Sequence, residues 1–229
     1  MSLDMTHFFS EYERLVAQID TVFLKVATTH PQEVRCQQGC SDCCHALFDV
    51  PLIEAMYLNS KLSSLSDSQK NEVLIEADKY DRKAQVLKKK AFKAVSENVS
   101  SQEVLAQVAV ERLRCPLLGP MDQCLLYQYR PITCRLYGIP TEIGGKSHSC
   151  GLSGFAPGLP YPAVKLEKIQ DMLVLLSQQL LETIGSKYDD FRTMLVPVSA
   201  ALMTDFSEDF FGLASDKDAS TQKSGEPHA

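Results

Sequence analysis

Eight cysteines, in two groups of four, are the residues of this chain best suited to chemistry. The groups are Cys36, Cys40, Cys43 and Cys44, and then Cys115, Cys124, Cys134 and Cys150. A thiolate is a soft, anionic donor that suits Zn²⁺ or the iron of a cluster. Closely spaced cysteines allow one loop to direct several sulfurs at one centre. We therefore predict that the two groups meet in space and that all eight are metal ligands, holding a metal ion or an iron–sulfur cluster.

The adjacent pair Cys43 and Cys44 leaves two arrangements open. Neighbouring side chains diverge, so two consecutive cysteines rarely ligate one metal together. Either one of them is not a ligand, or the two serve neighbouring metals. In both cases we expect at least one cysteine of the second group to complete the site that the first group begins.

Other polar residues near the cysteines have alternative roles. Arg130 and Arg135 flank Cys134, where they can bind a negatively charged cofactor through hydrogen bonds, or else form surface ion pairs. His45 and His148 are possible replacement ligands, but thiols outnumber imidazoles here. A catalytic Cys–His pair is conceivable. No feature selects one cysteine as a nucleophile, so we assign no catalytic residue.

Composition restricts the class of protein. The chain has 229 residues and a formal net charge of -6, which disfavours nucleic-acid binding. We find no secretory signal and no apolar stretch long enough for a membrane span, and so expect a cytoplasmic protein without membrane association. In a reducing cytosol, cysteines serve as ligands or redox groups more often than as disulfides.

The remaining sequence predicts a mainly helical fold with a small irregular cysteine-rich hairpin region built around the metal site. We expect one domain over residues 1–204, with a motif core at 33–150 and flanking amphipathic helices at 5–29 and 163–184. We predict that the acidic tail, 205–229, is disordered.

Local signals predict further elements between the flanking helices. Asp49 is a candidate cap for a helix with Pro51 in its first turn. Capping boxes at Ser66–Gln69 and Ser100–Glu103 begin two more helices, the first long and lysine-rich, the second running through Leu113. The lysine face of the first of these helices is either solvated or a surface for an acidic partner.

The spacing Cys36-x3-Cys40-x2-Cys43 also occurs in radical S-adenosylmethionine enzymes. Those motifs usually carry an aromatic residue before the third cysteine, where this chain has Asp42. Those enzymes also contain repeated strand–helix units, which are not expected here. We interpret this match as coincidental.

A longer pattern resembles the CxxCxxCC (YkgJ-type) cysteine-cluster family of zinc- or iron-chelating domains. It comprises Cys36-x3-Cys40-x2-Cys43-Cys44, Cys115-Pro116-Leu117-Leu118 and Cys124-x2-Tyr127-x2-Arg130-Pro131-x2-Cys134-Arg135-x-Tyr137. One departure is the three residues, rather than two, that follow Cys36. The resemblance implies a metal or iron–sulfur site but no established reaction, although some members carry the label of iron–sulfur oxidoreductase.

We therefore expect a metal-chelating cysteine-cluster protein that binds an iron–sulfur cluster, such as [4Fe–4S], and serves a redox or electron-transfer accessory role with a protein redox partner. Eight cysteines exceed one zinc site, and paired zinc-ribbon knuckles are absent. The alternative is a structural zinc domain that binds a protein partner without catalysis.

Overall fold

The structure is a computed structural model that describes residues 3–100, 103–104 and 111–213. These residues form a mainly helical fold, as the sequence predicts. Its α-helices are α1 Thr6–Thr29, α2 Leu52–Ser60, α3 Asp67–Ser96, α4 Ile132–Leu136, α5 Leu166–Ile184 and α6 Val198–Met203. Among the described residues, no helix is both long enough and apolar enough to cross a bilayer.

Short strands join segments that are distant in sequence. Strand β1 (Asp49–Pro51) pairs antiparallel with β5 (Leu195–Pro197), which places Val50 opposite Val196. In a second sheet, β2 (Thr141–Ile143) lies between β3 (Lys146–His148), to which it is antiparallel, and β4 (Val164–Lys165), to which it is parallel. These small sheets hold the irregular segments against the helices.

Helix α2 is the centre of the core, since every residue from Leu52 to Leu58 is buried. It packs against α1, α5 and α6. A helix that is apolar on all sides is stable only inside a protein, and α2 follows that rule except at Glu54. The buried Glu54 carboxylate accepts hydrogen bonds from the Tyr12 hydroxyl, at 2.7 Å, and from the Ile132 amide, at 2.8 Å. This one side chain therefore links α1, α2 and α4.

Several local predictions are confirmed. The capping box at Ser66 and Gln69 begins α3. The reciprocal bonds of Ser100 and Glu103 are also formed. Residues 105–110 of the helix predicted after them lie outside the described residues, and 111–113 are not helical, so the helix does not run through Leu113 as predicted.

The predicted cap at Asp49 is wrong. Asp49 lies in β1, and the residue before α2 is Pro51, with no capping side chain. The Asp49 carboxylate instead accepts a hydrogen bond from Lys88 of α3 at 3.0 Å. Pairing of β1 with β5 keeps this segment extended up to Pro51, so α2 begins three residues after Asp49.

The polar tail begins later than predicted. Residues 205–213 pack on the core, and the side chain of Phe211 is completely buried. Phe206, Phe210 and Phe211 contact one another at ring-centroid distances between 5.0 and 6.5 Å. Burial of these aromatic side chains holds the segment on the core despite the acidic residues between them, because each ring buries a large apolar area. The rest of the predicted tail, 214–229, lies outside the described residues.

Candidate metal centre

The first cysteine group lies in a tight loop that follows α1. Gly39 has a φ of +94°, a conformation that residues with a Cβ rarely adopt. The Cys40 amide donates to the carbonyl of Gln37 at 3.0 Å, and the Cys44 amide donates to that of Ser41 at 2.9 Å. The chain then forms a 3₁₀ turn at Asp42–His45, which carries the adjacent cysteine pair.

The second group is presented by a hairpin, a short helix and a loop. In the hairpin, the Gly119 amide donates to the carbonyl of Gln123 at 2.8 Å, which closes the turn. Helix α4 carries Cys134, and Cys150 follows β3. The two groups meet directly, since the Cys115 amide donates to the Cys44 carbonyl at 2.7 Å. The predicted meeting of the two groups is therefore seen in the backbone.

Three small cavities lie among the thiols, and Cys43 borders all of them. The cavity of about 30 Å³ that we call the Cys115 cavity is bordered by Cys43, Cys44, Cys115, Cys124 and Cys134. The Cys150 cavity, of about 20 Å³, is bordered by Cys36, Cys40, Cys43 and Cys150. The central cavity, of about 30 Å³, is bordered by Cys36, Cys40, Cys43, Cys44, Cys124 and Cys134. Every cysteine of the chain thus borders at least one cavity.

The donor chemistry of these cavities fits a thiophilic metal. All eight cysteines are free thiols, with no disulfide among them. Within the described parts of the chain, no three Cys, His, Asp or Glu side chains already have the geometry of a metal site. Binding would therefore require the thiols to turn inward, which their position around shared cavities allows. The set is rich in sulfur, and soft thiolate ligands select zinc, Cu(I) or iron–sulfur clusters.

Gly138 allows the backbone after α4 to approach the first cysteine loop closely. A Cβ at this position would lie 2.2 Å from the Cβ of Cys36 and 3.0 Å from its sulfur. Real Cβ atoms do not approach other atoms so closely, so only glycine fits here. The contact holds the Cys36 end of the loop against the segment that follows Cys134.

Arg130 lies among the thiols. It borders the Cys115 and central cavities, and its guanidinium lies 3.8 Å from the centroid of the Tyr127 ring. Its Nε is buried and has no hydrogen-bond partner among the described residues. A buried donor without a partner is costly, and thiolates of a metal centre would supply an acceptor. Arg130 thus lies beside the thiols, and its role in cofactor binding stays a prediction.

Arg135 lies on the other side of α4. Its Nη1 donates to both carboxylate oxygens of Asp20, at 3.0 and 2.7 Å, and its Nε donates to the carbonyl of Arg130 at 3.0 Å. It also bonds to the carbonyl of Gln128. The side chain is 8% exposed. Arg135 therefore holds the backbone around Arg130 rather than bordering the three cavities.

The thiols influence one another strongly. The hydrogen bond with Cys134, followed by that with Cys44, lowers the pKa of Cys43, and both bonds raise the pKa of the partner thiols. Burial raises the pKa of Cys115 to about 12 and that of Cys150 to about 11. A bound cation has the opposite effect, because a coordinating thiol is deprotonated.

Neither histidine lies at the cavities. His45 holds its own turn, with its Nδ1 at 3.0 Å from the Ser41 carbonyl oxygen, and His148 is exposed in β3. In the sequence, Asp42 stands out only because it replaces the aromatic residue of the radical S-adenosylmethionine motif. It forms an ion pair with Arg112 and accepts a hydrogen bond from the Cys150 thiol at 3.2 Å. No local signal predicts this link, since Asp42 and Cys150 are 108 positions apart.

Comparison with known proteins supports the same chemistry. Residues 35–151, about half of the chain, match the model of a family named CxxCxxCC, described as "Putative zinc- or iron-chelating domain". No match was found among curated proteins. The solved structures likewise contain no match. The matched range includes every cysteine, as well as Arg130 and Gly138.

Proposed function

Since the chain belongs to the CxxCxxCC family of zinc- or iron-chelating domains, we propose that it binds an iron–sulfur cluster and serves a redox or electron-transfer accessory role in the cytoplasm. Its metal ligands come from Cys36, Cys40, Cys43, Cys44, Cys115, Cys124, Cys134 and Cys150. The observation that carries this proposal is the gathering of eight free thiols around adjoining cavities. A bound cluster would supply one-electron redox chemistry.

The protein residues around the thiols support this role. Four thiolates make a cluster centre anionic, and buried donors near the sulfurs tune its reduction potential. Arg130 offers a cation and an unpaired Nε beside the thiols. Tyr127 holds the guanidinium in place through its ring. A protein redox partner is part of the proposal, because one-electron chemistry at a cluster needs a donor or an acceptor of electrons.

A structural zinc site is the second candidate, and cavity size favours it. Each cavity has a volume of about 20 to 30 Å³. That is close to the space of one water molecule, and so of a single ion rather than a multi-iron cluster. In this case the lysine-rich face of α3 would bind an acidic partner. Lys79, Lys88 and Lys93 of that face already pair with carboxylates of this chain, which reduces its attraction.

One experiment separates the two candidates. The full chain is purified without oxygen, its visible spectrum is recorded, and bound iron, sulfide and zinc are measured. Broad visible absorption with stoichiometric iron and sulfide, reversibly bleached by reduction, is expected from the redox proposal. A colourless protein with zinc and no sulfide would establish the zinc alternative, and a metal-free protein would refute both.

A variant and a control complete the test. We expect Cys40→Ser to lose the metal or cluster, because this residue borders two of the cavities. His148→Ala is the matched control, since this imidazole is exposed in β3 and should leave the metal content unchanged. Full metal retention by Cys40→Ser would show that this loop does not ligate the metal.

A further inference from the structure

The adjacent cysteines lie in a turn whose backbone directs their side chains differently, although the two thiols hydrogen-bond to each other. Cys43 and Cys44 belong to the 3₁₀ turn Asp42–His45. Because this type of helix has three residues per turn, consecutive side chains point about 120° apart around its axis. One metal does not readily accept two such thiolates. The turn is instead suited to supplying one thiolate to each of two neighbouring metals.

The cavities divide the other cysteines in the same way. Cys150 borders only the Cys150 cavity, and Cys115 borders only the Cys115 cavity. Cys44 does not border the Cys150 cavity, whereas Cys43 does. The two ends of the thiol cluster therefore differ in composition, and the adjacent pair lies at the boundary between them.

We propose that the eight cysteines form two adjacent four-thiolate centres rather than one metal site with spare thiols. The first centre uses Cys36, Cys40, Cys43 and Cys150, and the second uses Cys44, Cys115, Cys124 and Cys134. Four thiolates satisfy either a tetrahedral zinc ion or a [4Fe–4S] cluster, so the division is independent of the metal. This inference rests on the proposed function, because it requires that the thiols bind metal.

Contacts outside the cavities support the assignment of the pair. Cys44 is buried, and its carbonyl accepts the Cys115 amide at 2.7 Å, which ties it to the second centre. On the other side, the Cys150 thiol donates to the carboxylate of Asp42, the residue before Cys43, at 3.2 Å. Cys44 is thus linked directly to Cys115. Cys43 is linked to Cys150 through its neighbour Asp42, while its own thiol also hydrogen-bonds to Cys134 and Cys44.

Arg130 lies where both centres can use it. It borders the Cys115 and central cavities, and so lies beside Cys36 and Cys43 of the first centre and Cys124 of the second. Two anionic centres side by side repel each other, and a partly buried cation near both reduces that repulsion.

The test counts centres in the full chain purified without oxygen. Native mass spectrometry and metal analysis should give two zinc ions or two clusters per wild-type chain. Cys150→Ser and Cys115→Ser should each retain one, and His148→Ala should retain two. Circular dichroism confirms that each variant is folded. If Cys115→Ser does not fold, Cys150→Ser still decides the question, because it alters the more exposed end.

Alkylation mapping then tests the membership of each centre. In folded Cys150→Ser we expect Cys36, Cys40 and Cys43 to react with iodoacetamide, while the four thiols of the second centre stay protected by their metal. A wild-type chain with one centre and four reactive thiols would overturn this inference but leave the proposed function intact. Loss of all metal from folded Cys150→Ser would also overturn it. A metal-free wild-type chain would refute the proposed function itself.

Discussion

At the scale of single residues, Arg130 has the most direct influence on the thiols. It is a partly buried cation whose buried Nε is unpaired among the described residues, and a ring contact with Tyr127 holds it beside two cavities. The sequence identified both Arg130 and Arg135 through their position next to Cys134. The structure separates them: Arg135 lies within α4 and contacts Asp20, whereas Arg130 lies in the segment before α4 and faces the cysteines.

We expect Arg130→Gln to weaken metal binding, because it removes the cation that offsets the thiolate charge. Residues that support metal ligands in this way typically account for about 10- to 100-fold in metal affinity. Metal retained in competition with a chelator measures the effect. Lys146→Gln is the control, since Lys146 is exposed in β3 and should bind as the wild type does. Equal affinity of the two variants would contradict the role of Arg130.

Gly138→Ala should disturb the Cys36 loop. The new methyl group would lie 2.2 Å from the Cβ of Cys36, and overpacking of this kind costs about 1 to 3 kcal/mol. We expect a lower melting temperature and a lower metal content. Gly151→Ala is the matched control, because a Cβ at this position meets nothing within 4 Å and should not disturb the packing. If the two alanine variants have the same melting temperature and the same metal content, the close approach at Gly138 has no importance for the site.

At the scale of elements, α4 is held in place at both ends. Its first amide, that of Ile132, donates to the buried Glu54 carboxylate, and Arg135 bonds to the carbonyl of Arg130 just before it. Glu54 also accepts the Tyr12 hydroxyl from α1. A short helix has little stability of its own, so these contacts determine where Cys134 lies. A single acid within the apolar run of α2 was the available sequence signal.

The stability of the protein should depend on pH through Glu54. Burial raises the pKa of this carboxyl above its ordinary value of 4.5, so the folded chain binds a proton that the unfolded chain has released. The neutral Glu54 carboxyl therefore contributes to the free energy of unfolding. This contribution is fully present below pH 4.5 and is lost as pH rises through the raised pKa.

Glu54→Gln removes this titration while it keeps the size of the side chain and an acceptor oxygen. We expect the difference in melting temperature, wild type minus Glu54→Gln, to fall as pH rises above 4.5. Comparing the two proteins at each pH cancels the pH dependence of metal binding, which both share. A difference that is constant with pH, or that grows with it, would contradict a raised pKa.

At the scale of the whole molecule, the segment after α6 belongs to the core. Phe211 is fully buried among residues of α1, α2 and α5. Phe211→Ala should therefore reduce the free energy of unfolding by about 3 to 5 kcal/mol, measured by urea denaturation. Phe92→Ala removes the same ring from an α3 site that is 77% exposed, and should change it by about 0.5 kcal/mol or less. Similar effects of both would place Phe211 outside the core.

The sequence by itself determined the local features of this protein. Apolar spacing located α1 and α5, and the Ser66–Gln69 pair located the start of α3. Each of these depends on residues only a few positions apart, whose interactions survive in any fold. The two cysteine groups and their affinity for soft metals are likewise properties of residue type and spacing.

Only the tertiary structure decided which distant groups face one another. Cys150 meets Asp42 across 108 positions, Arg135 meets Asp20 across 115, and Glu54 meets Ile132 across 78. Such contacts arise from the packing of separate segments around α2, for which no periodic pattern exists. The proposed assignment of Cys43 and Cys44 to different centres also depends on tertiary structure. The sequence shows only an adjacent pair, and the cavities around it indicate a separate centre for each cysteine.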